Sequence, residues 1–160
     1  MNALLDGYRR KGFAFALRML GNADDAADAV QDGLGALWAK RAELRQDHDP
    51  TAWFFRVLRN RCIDQLRRRR VRKHDGVDPA SLVDTSASDP VAAAQMGEFR
   101  ERLRDELEKL EPAHREILLL RDYNDLSYAQ IAEILSIAQG TVMSRLHRAR
   151  MLLRKRCGAG

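Results

Sequence analysis

Residues Leu126–Arg150 read LSYAQIAEILSIAQGTVMSRLHRAR. A short helix, a tight turn and a second helix with a basic face account for that pattern. This is the layout of a helix-turn-helix, in which the second helix enters the DNA major groove. Ser127 and Gln130 form an S-x-x-Q capping box at the start of the first helix. Ile131, Ala132 and Leu135 then share one helical face, and small Ala132 lets the two helices cross closely. Ser136 holds the turn, where glycine is usual, and Ile137 plugs the space between the helices. Val142 and Leu146 continue the buried face at i, i+4. The rest of the second helix carries Gly140, Thr141, Met143, Ser144, Arg145, His147 and Arg148, groups able to meet phosphates and base edges. The plain alternative at this point is a helical hairpin whose arginines are merely solvated.

Composition narrows the classes. The chain has 160 residues, room for one or two small domains, and a formal net charge of +5, which suits a polyanionic partner. No apolar run approaches the roughly 18 residues that span a bilayer, and the start lacks a signal-peptide pattern. A cytoplasmic protein without membrane insertion is expected. Cys62 and Cys157 show no metal-ligand spacing, and His48, His74, His114 and His147 are scattered. No nucleophile elbow, P-loop or dinucleotide fingerprint occurs. The expectation is therefore no enzyme, no metal and no cofactor.

Helical periodicity dominates and strand signals are nearly absent, so the fold class expected is all-α, with two small helical domains. Residues 1–73 form the first and 91–160 the second. Residues 74–90, around DGVDPASLVDTSASDP, are rich in Asp, Ser, Ala and Pro and read as a flexible acidic linker carrying Asp75, Asp78, Asp84 and Asp89.

In the first domain, Leu5, Tyr8, Phe13, Ala16 and Leu20 suggest an opening helix ended by Gly21. Asn22 can cap the next, with Asp24 and Asp25 favourably placed in its first turn. Ala26, Val30, Leu34, Leu37 and Trp38 mark its expected buried stripe. Its opposite face gathers Asp25, Asp28, Gln31 and Asp32, an acidic patch on a basic protein. That patch is either a solvated face or a docking surface for a basic partner.

A long helix follows from about Thr51, with Phe54, Val57, Leu58, Cys62 and Leu66 inward. Arg56, Arg59, Asn60, Arg61 and Asp64 lie largely outside that stripe. Between Arg56 and Lys73 stand nine basic residues and one acid, a density that repels itself unless a polyanion neutralises it. Trp53 and Phe55 could stack on unpaired bases, although such aromatics more often fill a core. The second domain opens with a helix bearing Phe99, Leu103, Leu107 and Leu110 inward. Pro112 then starts another helix, whose apolar run is Ile117–Leu120, and RDYND turns the chain into the helix-turn-helix.

These residues resemble a bacterial extracytoplasmic-function sigma factor of RNA polymerase, of the sigma-70 family, along nearly the whole chain. LEPAHREILLLRDYNDLSYAQIAEILSIAQGTVMSRLHRAR is similar to region 4 of that family, especially L-S-Y-x-x-I-A and G-T-V-x-S-R-L-x-R-A-R. DDAADAVQD resembles the D-A-E-D-x-V-Q-E segment of region 2, and WFFRVLRNRCIDQLRRRR its later part. The resemblance implies that Asp25, Asp28, Gln31 and Asp32 dock on the β′ clamp of core RNA polymerase, with the β flap as a further contact. It implies that Trp53, Arg56, Arg59, Asn60, Arg61, Arg67 and Arg68 meet the −10 element and the melted strand. The loop from Gln46 to Pro50 would lie near the extruded base. Gly140, Thr141, Met143, Ser144, Arg145, His147 and Arg148 would read the −35 element. The acidic linker would follow the path of nascent RNA. An anti-sigma factor is an expected partner, and the free protein an expected monomer.

The sequence departs from the family pattern at four places. Ala27 stands where the docking motif has Glu, and Ala29 where a larger apolar residue is common. Met143 replaces a Lys or Arg, exchanging a cation for a side chain that can touch only a thymine methyl or a sugar. Ala138 replaces Ser, Thr or Pro and removes a helix cap worth about 1 kcal/mol. A stand-alone helix-turn-helix regulator is the alternative function, although no heptad or second apolar face supports a dimer. A nucleic-acid-modifying enzyme would need a metal or acid cluster on loops, and the carboxylates lie instead on helix faces and in the linker.

Overall fold

The computed structural model describes residues 2–47, 49–74 and 94–158. Among the described residues eight α-helices run in chain order: α1 (Asn2–Leu20), α2 (Ala23–Ala39), α3 (Arg41–Asp47), α4 (Pro50–His74), α5 (Ala94–Lys109), α6 (Pro112–Leu118), α7 (Tyr128–Leu135) and α8 (Gln139–Arg156). No strand occurs among the described residues. Residues 75–93, which include nearly all of the acidic linker, lie outside them.

In the first lobe α1, α2 and α4 pack mutually. Phe54 of α4 is the centre of that packing. It is fully buried, with its ring centroid 5.2 Å from Tyr8 and 5.4 Å from Phe55. Two glycines make room for it. A Cβ on Gly12 of α1 would lie 2.8 Å from Phe54 Cζ, and one on Gly33 of α2 would lie 3.1 Å from Phe54 Cε2. The helix-weakening glycine is therefore required by close approach of an aromatic ring to two backbones. Tyr8 closes the end of this core through a 2.9 Å hydrogen bond between its hydroxyl and Thr51 Oγ1.

Local signals explain the helix starts. Asn22 accepts from the Asp25 amide at 3.0 Å and caps α2. Asp49 Oδ1 accepts from the Thr51 amide at 3.0 Å at the start of α4. Glu111 precedes Pro112, which occupies the first turn of α6 without a lost hydrogen bond.

In the second lobe α6 packs on α8, and α7 on α8. Ile117, Leu118, Leu119 and Leu120 are all buried. Four consecutive residues cannot face one side of a helix at 100° per residue, so this segment needs cover from more than one direction. It has it, since α6 touches α8 and also α1 of the first lobe. α6 continues into one π turn over Leu119–Tyr123.

Three sequence expectations need correction, and one open choice is decided. Trp38 is 48% exposed rather than part of the buried stripe of α2, because that helix packs chiefly on α1 and α4 and only the short α3 lies beside its last turn. Arg41 covers its ring, with the guanidinium 4.1 Å from the centroid. Phe99 is 60% exposed, since the beginning of α5 extends beyond the packed elements while Leu107 and Leu110 reach the core. Arg121, Asp122 and Tyr123 belong to the π turn, so RDYND is mostly helix and the true turn begins at Asn124. Phe55 is fully buried and packs edge-on to Phe15, centroids 6.0 Å apart; it is core, with no face for a base.

Candidate nucleic-acid interface and docking face

α8 is built as read from Leu126–Arg150. The capping box is complete: Ser127 Oγ accepts from the Gln130 amide at 3.1 Å, and Gln130 Oε1 accepts from the Ser127 amide at 2.8 Å. Ser136 adopts φ 56°, ψ 48°, a left-handed residue that ends α7 and sets the turn. Val142, Leu146 and Ala149 are buried. Ala138 precedes α8 with no side-chain cap.

Opposite that buried edge, Gly140, Met143, Ser144, Arg145, His147 and Arg148 are exposed and Thr141 is half-exposed. Gly140, Met143, Ser144 and His147 share one strip at i, i+3, i+4 and i+7, flanked by Arg145 and Arg148. Ser144 Oγ donates back to the Thr141 carbonyl at 3.1 Å. Met143 is thus the apolar centre of a cationic face. Arg145 and Arg148 form no ion pair among the described residues. Arg150 differs: it forks onto Asp122 of the π turn at 2.6 and 3.1 Å, which raises its pKa and clamps α8 to the preceding helix.

α4 presents a different surface. Arg56, Asn60, Arg61, Arg67 and Arg68 are exposed, and Trp53 is half-buried. Several of its cations are already engaged. Arg61 lies 4.0 Å from Asp32. Arg69 donates to Asp25 at 2.6 Å and to the Leu20 carbonyl. Arg59 binds Glu116 of α6 with both prongs, Nε to Oε2 at 2.7 Å and Nη2 to Oε1 at 3.2 Å. Of the stretch from Gln46 to Pro50, Asp49 and Pro50 open α4, whereas His48 and the side chains of Gln46 and Asp47 lie outside the described residues.

The acidic residues of α2 divide likewise. Asp28 and Gln31 are exposed, Asp32 faces Arg61, and Asp25 is held by Arg69. Ala27 is exposed beside them, and Ala29 is buried. An open groove of about 820 Å³ runs along this side between α1 and α2, lined by Leu5, Phe13, Val30, Gln31, Leu34 and Trp38 among others.

Sequence reasoning did not find the groups between the lobes. Glu116 is only 2% exposed, and Arg115 beside it is buried, its Nη1 donating to the Glu108 carbonyl at 2.8 Å. Burial lowers the Arg115 pKa. Cys62 of α4 is fully buried, and burial pushes its thiol up to about 12. Gln130 Nε2 also donates to Asp49 Oδ2 at 2.7 Å, and Arg18 stacks 5.1 Å over Tyr123. No local sequence signal marks partners so far apart along the chain.

No helix among the described residues is long and apolar enough to cross a membrane, and no group of three or more His, Cys, Asp or Glu among them could hold a metal ion.

The profile described as Sigma-70 region 2 matches residues 4–72, and that described as Sigma-70, region 4 matches residues 100–153. The chain is 38% identical over 156 residues to the ECF RNA polymerase sigma factor SigL of Mycobacterium tuberculosis, covering 96% of this chain and 86% of the relative. It is 39% identical over 142 residues to the ECF RNA polymerase sigma factor EcfG of Rhodopseudomonas palustris, covering 88% and 75%. Among solved structures, the sigma factor RpoE of Bartonella quintana in complex with the anti-sigma factor NepR matches with a TM-score of 0.73 and 31% identity, covering 96% of this chain and 91% of that one. CnrH in complex with the cytosolic domain of CnrY matches with a TM-score of 0.63 and 25% identity, covering 98% and 87%.

Proposed function

The chain belongs to the ECF sigma factors of RNA polymerase, and from that premise we propose that α2 docks on the core enzyme while α4 and α8 grip the promoter. The observation that carries this reading is an acidic face and an arginine-rich helix within one small lobe, joined to a second lobe whose α8 displays Arg145 and Arg148 on an exposed face. Asp28, Gln31 and Asp32 supply the docking charge, and Asp25 positions that face through Arg69. Arg56, Arg59, Asn60, Arg61, Arg67 and Arg68 meet the −10 element and the separated strand, with Trp53 offering a partial ring face. Gly140, Thr141, Met143, Ser144, Arg145, His147 and Arg148 meet the −35 duplex. Such a protein performs no catalysis itself; it works in the cytoplasm and lends sequence choice and melting to polymerase. The RpoE structure is of a sigma factor held by an anti-sigma factor, which supports an anti-sigma partner for this chain too.

Charge reversal separates the two jobs. Asp28→Lys is expected to weaken association with bacterial core polymerase by roughly tenfold, measured by titration of labelled protein. Unchanged affinity refutes docking through α2. Met143 makes a finer test, because the thymine methyl is the one apolar group on a major-groove base edge. Replacing thymine with deoxyuridine at each −35 position of a selected promoter should weaken holoenzyme binding about fourfold at one position, at ~0.8 kcal/mol per buried methyl. Met143→Lys should lose that sensitivity. A wild-type response flat at every position removes Met143 from the bases.

A further inference from the structure

Elements named −10 and −35 lie about 25 base pairs apart, about 85 Å along straight duplex at ~3.4 Å per step. A compact chain of this length has a radius of gyration of about 15 Å and so a diameter of about 40 Å. With the lobes packed together, α4 and α8 cannot occupy both elements at once. Gripping the promoter at two points requires the lobes to part. Residues 74–90 reach about 55–60 Å when extended, so the covalent connection permits it.

The lobes meet where α7 packs on α4, with Arg18 of α1 over Tyr123 and two polar pairs besides. Gln130 donates to Asp49, yet each residue also completes a cap within its own lobe: Gln130 with Ser127 at α7, Asp49 with the Thr51 amide at α4. Breaking that bond leaves both caps standing. The Arg59–Glu116 pair is of another kind. Both carboxylate oxygens of Glu116 are taken by Arg59, and the side chain is 2% exposed. Arg59 lies on the α4 face assigned above to DNA, so the same guanidinium is claimed twice. A buried carboxylate is costly without its cation, whereas a phosphate offers the cation an equivalent bidentate acceptor.

We propose that Glu116 is an internal competitor for promoter phosphate, occupying Arg59 and latching α6 to α4 in the polymerase-free protein. The latch holds the two DNA-binding helices in one closed body. Core docking and DNA then open it, and Arg59 passes from the carboxylate to the backbone of the nucleic acid. This inference rests on the assignment of α4 to DNA, and the test separates the two.

Glu116→Gln keeps shape and removes charge. In the full-length polymerase-free protein it is expected to raise the radius of gyration in small-angle scattering by several ångströms. It is also expected to raise affinity for a labelled duplex of arbitrary sequence at low salt about five- to tenfold, with helix content unchanged by circular dichroism. Arg59→Gln should open the molecule without the gain in affinity, and the exchanged pair Arg59→Glu with Glu116→Arg should close it again. If Glu116→Gln loses helix content, the Arg59→Gln radius decides, and a compact Arg59→Gln protein overturns the latch. Wild-type dimensions in Glu116→Gln overturn it as well, and opening without a gain in affinity overturns the competition. A holoenzyme that initiates nowhere, with either wild type or Glu116→Gln, defeats the sigma-factor reading while leaving the opening result intact.

Discussion

α4 and α8 are both arginine-rich helices of one basic chain, and the structure treats them oppositely. α8 buries Val142, Leu146 and Ala149 and leaves Arg145 and Arg148 free in solvent. α4 buries Phe54, Phe55, Leu58 and Cys62, and Arg59, Arg61 and Arg69 lie against carboxylates of other helices. A cationic helix is therefore not automatically a displayed one. α8 confines its ion pairs to Arg150 and Arg156 and leaves the face around Met143 open, whereas α4 carries Arg59, Arg61 and Arg69 as internal cement. The difference is in what surrounds each helix: α8 lies in the small second lobe, and α4 is flanked by acidic α2 and by α7, with Glu116 of α6 reaching Arg59.

That contrast can be broken most severely at Phe54. Phe54→Ala removes the ring wedged between Gly12 and Gly33 and should destabilise the chain by about 3–5 kcal/mol, read from urea denaturation. A loss below about 1 kcal/mol would mean that the α4 core is not organised around this residue.

Cys62 probes the same inner face through pH. Its folded pKa is raised to about 12 from an ordinary 9.0. The unfolded chain therefore ionises first, so the stability from the neutral thiol is full below pH 9 and is lost as pH rises towards 12. Linkage predicts a loss of about 2 kcal/mol by about pH 10.5 in wild type relative to Cys62→Ala. Parallel stability curves for the two proteins would contradict burial of the thiol.

The paired and unpaired cations of α4 can be told apart by salt. Arg68→Ala should reduce the salt slope of duplex binding by about 0.9 log units per log of salt, since Arg68 is exposed. Arg69→Ala should leave the slope nearly unchanged and reduce stability instead, because Arg69 is held by Asp25 and the Leu20 carbonyl. Equal slopes for the two variants would erase the distinction.

The smallest effect sharpens the α8 side. Ser136 sits at φ 56°, where a side chain is disfavoured. Ser136→Gly should raise stability by about 0.5–1 kcal/mol and the melting temperature by a few degrees. A fall would show that the Ser136 side chain supports the turn.

Legibility in the sequence followed the range of the interaction. Ser127–Gln130, Ser136, Val142 and Leu146 were readable because capping, turning and periodicity are local, and all stand as the pattern implied. The inward side of α4 was readable for the same reason. Periodicity misplaces Trp38 and Phe99, because it says which residues share a face but not how far that face is covered. Phe15 and Met19 are fully buried yet fall off the stripe chosen for α1, since α2 and α4 cover that helix from two sides. α3 is seven residues long and polar, too short to show a period. Arg59–Glu116 spans 57 positions, and no single-sequence pattern announces it. The charge of α4 was visible; which of its arginines the protein keeps for itself was not.

The most direct measurement is transcription by bacterial core polymerase reconstituted with this chain on fragmented genomic DNA of its host, with the 5′ ends of the products mapped. Discrete start sites that share two upstream elements are expected, with starts lost when Arg145 and Arg148 are both replaced by alanine. Start sites no different from those of core enzyme alone would contradict that expectation.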